Sequence, residues 1–542
     1  MQTKFVSLPG VLPFSPTRDK NLLNPAVRLT RAEKWRLGST IFFGKMIGLL
    51  IVFLAMIFLP GILGTPAQAQ TGYTPHETAL VNSVNTVWTL VAAFLVFGMQ
   101  AGFVMLEAGF ARKRETVNVL MECILDTCLC GILFWAIGYA FMFSHGNGFI
   151  GTHWFFLSGA PETYEVTGIP LLAHWLFQFA FADTCSTITS GAMIGRTSFR
   201  GDILYSIGVT GFIYPIIGHW AWGPDGFLVT MGSAGNFLPF IGQPFRDFAG
   251  STVVHTIGGV ISLAGAMVLG PRIGRVFARD GGSMPAPHNL TVAAVGGFLL
   301  WFGWYGFNPG STLSALDASG IGRVAANTTL AACTGGLAAM LAAFWWGSTK
   351  GKFDLAFSIN GFLAGLVAIT CPCYWVSPLG AILLGAIAGF VVYAGAWLIE
   401  WWRIDDPVGA VAVHGFCGIW GTLSLGFFAC GKYGATGPFG ADNSAPVTGL
   451  FYGGGWSVLK AQFIGSAIIT VGTFVIAFGL MWVIRQLPHP WNLRVEAKGE
   501  TGAGGLDVFE HGTEAYPHQG SVINTPAYEP EHTEHQGEPV LS

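Results

Sequence analysis

What this sequence has least of is charge. Only 10% of its 542 residues are Asp, Glu, Lys or Arg, against about 25% in an average soluble domain, which excludes a chain lying wholly in water. The formal net charge is −3, so the basic excess that holds nucleic acid is missing and no such partner is expected. Thiols are few. Of the nine cysteines, Cys123, Cys128, Cys130, Cys185 and Cys417 fall inside hydrophobic runs, where a thiol serves as a small apolar filler. Cys371-Pro-Cys373 is a close pair. Two cysteines do not close a metal site, a disulfide across one residue would be strained, and a structural role is expected. With no CxxCH motif and no carboxylate–histidine cluster, neither haem nor another metal is expected, and no cofactor.

What is present is hydrophobic residue in long runs, 52% of the whole, of the length that a bilayer accommodates as helices of roughly 20 residues. Glycine makes up 76 of 542 residues, about twice the usual share of roughly 7%. Small residues let membrane helices approach closely, and Gly385-Ala-Ile-Ala-Gly389 is one such small-xxx-small segment. The pattern predicts an all-α membrane protein with eleven transmembrane helices, near 83–111, 117–143, 170–197, 201–221, 247–270, 288–307, 321–347, 355–372, 377–402, 407–429 and 459–486.

The two ends read differently. Residues 46–63 are apolar, follow Arg31, Lys34, Arg36 and Lys45, and precede Pro66-Ala67-Gln68-Ala69-Gln70. Basic, apolar, then Ala-x-Ala predicts a cleavable secretory signal ending at Ala69; a retained first membrane helix is the alternative. From Asn492 the chain turns polar, and after about Gln519 its composition is that of a disordered segment. The predicted division is therefore 1–69 signal peptide with a long basic leader, 81–486 membrane domain, and 487–542 C-terminal tail.

Loop charge orients the helices. Cleavage puts the mature N-terminus outside, and every second loop should then be cytoplasmic and basic. Those loops carry Arg112, Lys113 and Arg114; Arg196 and Arg200; Arg272, Arg275 and Arg279; Lys350 and Lys352; and Arg403. Residues 144–169 on the other side contain no Lys or Arg. An odd number of helices leaves the tail in the cytoplasm, so a multi-pass protein of the cell membrane is expected.

Two stretches align without gaps: Asp247-Phe-Ala-Gly-Ser-Thr-Val-Val-His255-Thr-Ile-Gly-Gly259 and Asp406-Pro-Val-Gly-Ala-Val-Ala-Val-His414-Gly-Phe-Cys-Gly418. A weaker echo pairs Phe97-Gly98…Gly102-Phe103 with Phe302-Gly303…Gly306-Phe307. The echoes relate helices 1 and 5 to helices 6 and 10. Five is odd, so the second copy enters the membrane upside down, the inverted repeat of transporters with its site near the midplane. On a helix, Asp247, Ser251, His255 and Gly259 share one face, as do Asp406, Ala410, His414 and Gly418. Each histidine then lies about 12 Å along from its aspartate. Imidazole at that depth is costly and should face a cavity or a polar partner; the blander reading is a pair of histidines satisfied by backbone carbonyls.

At these residues the chain resembles the ammonium transporters, in the branch named Amt. The motifs are Gln100-Ala-Gly-Phe-Val-Met-Leu-Glu107-Ala-Gly-Phe, the two aspartate–histidine stretches, and Gly303-Trp304-Tyr-Gly-Phe307-Asn308-Pro-Gly-Ser311. The resemblance runs from about Val81 to Tyr516. It implies a homotrimer of eleven-helix subunits, each with its own pore. It implies ammonium recruitment from outside by Phe181, Trp222 and Ser311, a phenyl gate of Phe181 and Phe307, and a pore lined by His255 and His414. Asp247 resembles an aspartate that shapes the vestibule by accepting backbone N–H bonds, and Asp406, its inner equivalent, reads as a helix cap. The recruitment chemistry is sound in its own right: an aromatic face attracts ammonium by roughly 0.5–2 kcal/mol, and a hydroxyl accepts one N–H. Taken singly, those aromatics could equally be membrane-interface anchors.

The implied function is conduction of ammonium or ammonia, with membrane lipid as surroundings and no enzymatic step. Gly505-Leu-Asp507-Val-Phe-Glu510-His511-Gly512-Thr-Glu-Ala515-Tyr516 is similar to a tail segment that docks under the neighbouring subunit, which makes a PII-type regulator a possible partner. Two departures stand out: Gly195, where many members carry glutamate, and Gly409, where some have a second acidic residue. An ammonium sensor with little flux and an Rh-type gas channel are the alternatives. The joint presence of Trp222, Phe181 and Ser311 argues for cation recruitment over plain gas passage.

Overall fold

The computed structural model describes residues 74–164, 167–347, 351–434 and 445–516. The expected signal segment 1–69 and the end of the tail beyond 516 lie outside the described residues. Among the described residues, nine helices are long and apolar enough to cross a membrane: α1 (His76–Phe110), α2 (Lys113–Phe143), α4 (Phe199–Trp222), α5 (Ser251–Leu269), α6 (Leu290–Thr312), α7 (Ala318–Trp346), α9 (Pro378–Trp401), α10 (Val411–Phe428) and α11 (Ser457–Gln486). Two further helices lie between these, α3 (Leu171–Gly191) and the shorter apolar α8 (Leu355–Thr370). The nine long helices overlap stretches where apolar runs predict one. α3 falls short on composition: its inner turns carry Asp183, Thr184, Ser186, Thr187, Thr189 and Ser190, all buried within the protein.

Local chemistry starts these helices. α1 opens with a capping box in which Thr74 Oγ1 accepts from the Glu77 N–H (3.3 Å) and Glu77 Oε2 accepts from the Thr74 N–H (2.8 Å). Side-chain oxygens of Ser198, Asn289, Asp317, Asp354 and Ser377 cap α4, α6, α7, α8 and α9 in the same way, each contributing about 1 kcal/mol. Glycine then lets the bundle close up: Gly385 and Gly389 of α9 pack directly on the backbone of α7 at Ala331 and Gly335.

The clearest difference from expectation is at the two repeat segments. An α-helix from Asp247 would put Asp247, Ser251 and His255 on one face. Instead α5 begins only at Ser251, behind Gly250 with φ +111°, and its first turn, Ser251–Thr256, is a π-turn. α10 likewise begins with a π-turn, Val411–Phe416, shortly after Gly409 with φ +81°. Both aspartates stand outside their helices, and both histidines sit within π-turns. Such turns are rare and cluster at functional sites.

At the end of the bundle that carries Arg112 and Arg272, the connecting loops are tied together. Asp405 accepts a bidentate pair from Arg272 (2.8 and 2.9 Å), while Arg196 donates to the Asp405 carbonyl (2.6 Å) and Arg275 pairs with Glu400 (2.6 Å). The tail segment joins this layer. Arg494 pairs with Glu500 (2.7 Å) and donates to the Leu269 carbonyl (2.6 Å). Beyond it, the short α12 (Ala497–Thr501) and α13 (Gly505–His511) follow. The Asn118 N–H donates to Asp507 Oδ1 (2.9 Å), and Asn118 Oδ1 lies 3.0 Å from His511 Nε2.

Candidate functional site

The site starts with the two aspartates. Asp247 accepts from the N–H groups of Gly250 (2.9 Å), Thr252 (2.8 Å) and Val253 (2.9 Å), and Asp406 from those of Gly409 (3.1 Å), Ala410 (3.0 Å) and Val411 (2.9 Å). Each carboxylate thereby satisfies the orphan donors of a helix start. Burial raises the carboxyl of Asp406 to about 6 despite those N–H groups. In both copies the third residue on is a glycine in the left-handed region, where a side chain is strained. At Gly409 a Cβ would also crowd Asn360 Nδ2, so an acidic residue there would disturb this turn.

The π-turns aim the histidines at each other. His414 Nδ1 lies 3.2 Å from His255 Nδ1, with the rings 5.2 Å apart and 28° from parallel. Their backbones cross in near contact: a Cβ on Gly259 would collide with the backbone of Gly415 and His414. Beside them Thr252 and Thr422 share a hydrogen bond between α5 and α10. One nitrogen of the pair must donate and the other accept, which sets opposite tautomers on the two rings. His255 Nε2 is buried and makes no hydrogen bond among the described residues.

From His255 a row of rings continues. Phe307 lies 5.3 Å from His255, Phe181 stacks on Phe307 at 4.0 Å and 27°, and Trp222 meets Phe181 edge-on at 6.1 Å. Trp222 is held by its indole N–H, which donates to the Asp247 carbonyl (2.7 Å), so one aspartate residue serves both the helix start and the outermost ring. Ser311 Oγ donates to the Phe307 carbonyl (2.8 Å) and keeps lone pairs free to accept. All of Phe181, Trp222, Asp247, His255, Phe307, Ser311 and His414 thus belong to one connected row. Asp406 anchors the start of α10 on the side of His414.

Trp304 was not foreseen here. It stacks on His255 at 5.1 Å and is oriented by a hydrogen bond to Thr370 Oγ1 (2.9 Å). The visible signal was its place in the Gly303-to-Ser311 motif, three residues before Phe307. Cys371 and Cys373 are both buried free thiols, and the Cys371 N–H donates to Ser251 Oγ (2.6 Å), which buttresses the first turn of α5. Among the described residues no group of three His, Cys, Asp or Glu is placed to hold a metal ion.

Residues 87–516 match the Ammonium Transporter Family. The chain is 41% identical over 478 residues to ammonium transporter Amt2 of Archaeoglobus fulgidus, covering 88% of this chain and 96% of that one. It is 35% identical over 456 residues to ammonium transporter 1 member 3 of Solanum lycopersicum, covering 81% and 94%. Among solved structures it is similar to Mep2 of Saccharomyces cerevisiae, with a TM-score of 0.68, 27% identity and coverage of 80% and 96%. A protein titled a sensor Amt protein gives a TM-score of 0.67 at 32% identity, covering 80% and 99%. A family match over this span and this degree of likeness to whole relatives lead to one conclusion: the chain is a multi-pass membrane protein of the ammonium transporter family.

Proposed function

We propose that this protein conducts ammonium across the cell membrane, recruiting the cation at Trp222, Phe181 and Ser311 and passing ammonia through a pore lined by His255 and His414. The observation that carries the reading is the unbroken row Trp222–Phe181–Phe307–His255–His414. Its outer member presents a π face suited to a small cation. Its middle is two stacked phenyl rings with no place for a charge. Its inner pair offers one N–H and one lone pair. A cation in such a passage is very costly, whereas neutral ammonia is not. Ammonium therefore gives up its proton near Phe181 and Phe307, and these rings act as the gate.

The proposed architecture is eleven spans, with helices 1–5 and 6–10 as inverted copies. The shared plan of aspartate, left-handed glycine three residues on, and π-turn with histidine supports it. The basic loops favour a C-terminus in the cytoplasm and a mature N-terminus outside. In this scheme 1–69 is a removed signal peptide, 81–486 the transport domain and 487–542 the tail. The working unit is a homotrimer whose tails offer a face to a PII-type regulator.

The test is current from the purified protein in proteoliposomes on a solid-supported membrane after an ammonium jump. Wild type should give a saturable, ammonium-specific current. Trp222→Ala and the double variant His255→Ala/His414→Ala should reduce it or change its selectivity. Unchanged currents in both variants would refute the site. Wild-type vesicles that bind ammonium with neither current nor internal pH change would favour a sensor.

A further inference from the structure

A third buried histidine stands near the row of rings without belonging to it. His219 lies in the last turn of α4, three residues before Trp222, and is fully buried. Both of its ring nitrogens face acceptors. Nδ1 is 2.9 Å from the Met142 carbonyl oxygen, and Nε2 is 2.9 Å from that of Asn147. A carbonyl oxygen accepts and never donates, so each nitrogen must bring its own hydrogen. A neutral imidazole carries only one. It would press a bare lone pair against one of the two carbonyls and leave that buried acceptor unsatisfied.

The surroundings suit a cation. Asp225 Oδ1 lies 3.2 Å from Nε2, and Asp225 Oδ2 is itself fixed by the Gly146 N–H (2.9 Å). Met142 belongs to the last turn of α2 and His219 to the last turn of α4, so the ring meets the negative ends of two helices. The socket is also cut to shape. A side chain at Gly223 would strike the imidazole, and one at Gly226 would strike the His219 carbonyl.

What the ring ties together is the wall behind Trp222. Asn147 sits in a short hairpin of β1 (Gly146–Asn147) and β2 (Ile150–Gly151). That hairpin holds α4 a second time, where the Trp220 indole N–H donates to the Phe149 carbonyl (3.0 Å). The Phe227 N–H donates to its Gly148 carbonyl (2.9 Å), and the Gly223 N–H, next after Trp222, donates to the His219 carbonyl (2.8 Å). Trp222 is thus fixed at its backbone by the His219 assembly and at its indole by the Asp247 carbonyl (2.7 Å).

We propose that His219 is a buried imidazolium, charged at neutral pH, and that it is a positioning residue for ammonium recruitment. Its two N–H groups pin the end of α2 and the hairpin to the end of α4, Asp225 balances its charge, and Trp222 is thereby set in place. The inference rests on the recruitment reading above and adds to it a residue that does not touch the ion.

Nitrogen-15 spectra of protein labelled at histidine test the charge. At neutral pH one buried ring should show hydrogen on both nitrogens, each slow to exchange with solvent, and this pair of signals should vanish in His219→Gln. A wild-type spectrum with no such ring overturns the proposal. Ammonium-titrated currents test the role. His219→Gln keeps a donor for one carbonyl but loses the charge. Half-saturation should rise by about 3- to 10-fold at near wild-type maximal current, within the range expected for loss of the Trp222 contact. Because His219 acts through Trp222, adding His219→Gln to Trp222→Ala should change nothing further. Effects that multiply in the double variant, or a lower maximal current at unchanged half-saturation, overturn the positioning role. Should His219→Gln fail to fold, Asp225→Asn serves, since it leaves both carbonyl contacts in place; a smaller rise in half-saturation is expected, and none overturns the proposal. Unchanged half-saturation in Trp222→Ala alone would instead defeat the recruitment reading, and the positioning role with it, while the spectrum still decides the charge on His219.

Discussion

Nδ1 of His414 faces Nδ1 of His255 across 3.2 Å, and the contact exists because Gly259 lets the α10 backbone pass against α5 with no side chain between them. The relationship makes the pair vulnerable at a residue that carries no functional group. Gly259→Ala inserts a methyl group into the backbone of Gly415. Overpacking of that kind costs about 1–3 kcal/mol, and here it also forces the imidazoles apart. A lower Tm in detergent and a loss of ammonium current are expected; a variant with wild-type current would show that the pore tolerates separated rings.

Trp222 has a more limited task, and its removal should read out as affinity. Losing a cation–π contact of roughly 0.5–2 kcal/mol corresponds to a rise of about 2- to 30-fold in the half-saturating ammonium concentration. Currents titrated with ammonium for wild type and Trp222→Ala supply the measurement. A fall in maximal current at unchanged half-saturation would contradict recruitment at this ring.

Asp405 governs stability against acid. Burial alone would raise its carboxyl, but the hydrogen bonds from Arg272 and the charges of Arg196 and Arg272 outweigh it and hold the carboxyl well below the usual carboxylate range. A folded-state value below the unfolded one contributes stability that is present above the unfolded value and is lost as pH falls towards the folded one. Asp405→Asn leaves buried arginines unpaired and should cost about 3–5 kcal/mol near neutrality. The gap in Tm between wild type and Asp405→Asn should hold above roughly pH 5 and narrow below about pH 4. A gap that widens on acidification would contradict the assignment.

Asn118 touches the tail twice, through its N–H to Asp507 and its Oδ1 to His511. Asn118→Ala keeps the first contact and removes the second. Amide exchange across Gly505–His511 should speed up in this variant by roughly 3- to 10-fold, in keeping with the loss of about 1 kcal/mol from one hydrogen bond. Exchange as slow as in wild type would show that His511 does not hold α13.

Much of this was legible beforehand. Long apolar runs located most of the helices because a bilayer demands roughly 20 apolar residues to cross it, and the repeated spacing of Asp247 to His255 and Asp406 to His414 exposed the central pair. What could not be read was conformation set by tertiary contact. Regular periodicity put Asp247 and Asp406 on the same helical faces as their histidines, whereas Gly250 and Gly409 break the chain and a π-turn follows each. Trp304 looked like one aromatic among many. The loop arginines were read as a guide to orientation only, yet Arg196, Arg272 and Arg275 also close a network on Asp405 and Glu400, and nothing in local sequence pairs residues so distant.

That network has a mechanical consequence. Asp405 comes from the α9–α10 connection, Arg196 from the stretch between α3 and α4, and Arg272 from that between α5 and α6, while Arg494 fastens the tail to the end of α5. No one of these loops can swing outward without exposing a charge whose partner stays behind. Outward movement of one loop therefore either takes its neighbours along or separates a buried ion pair, and leaving one such charge unpaired costs about 3–5 kcal/mol. The network also ends next to Asp406, whose carboxylate accepts from the first turn of α10, the turn that carries His414.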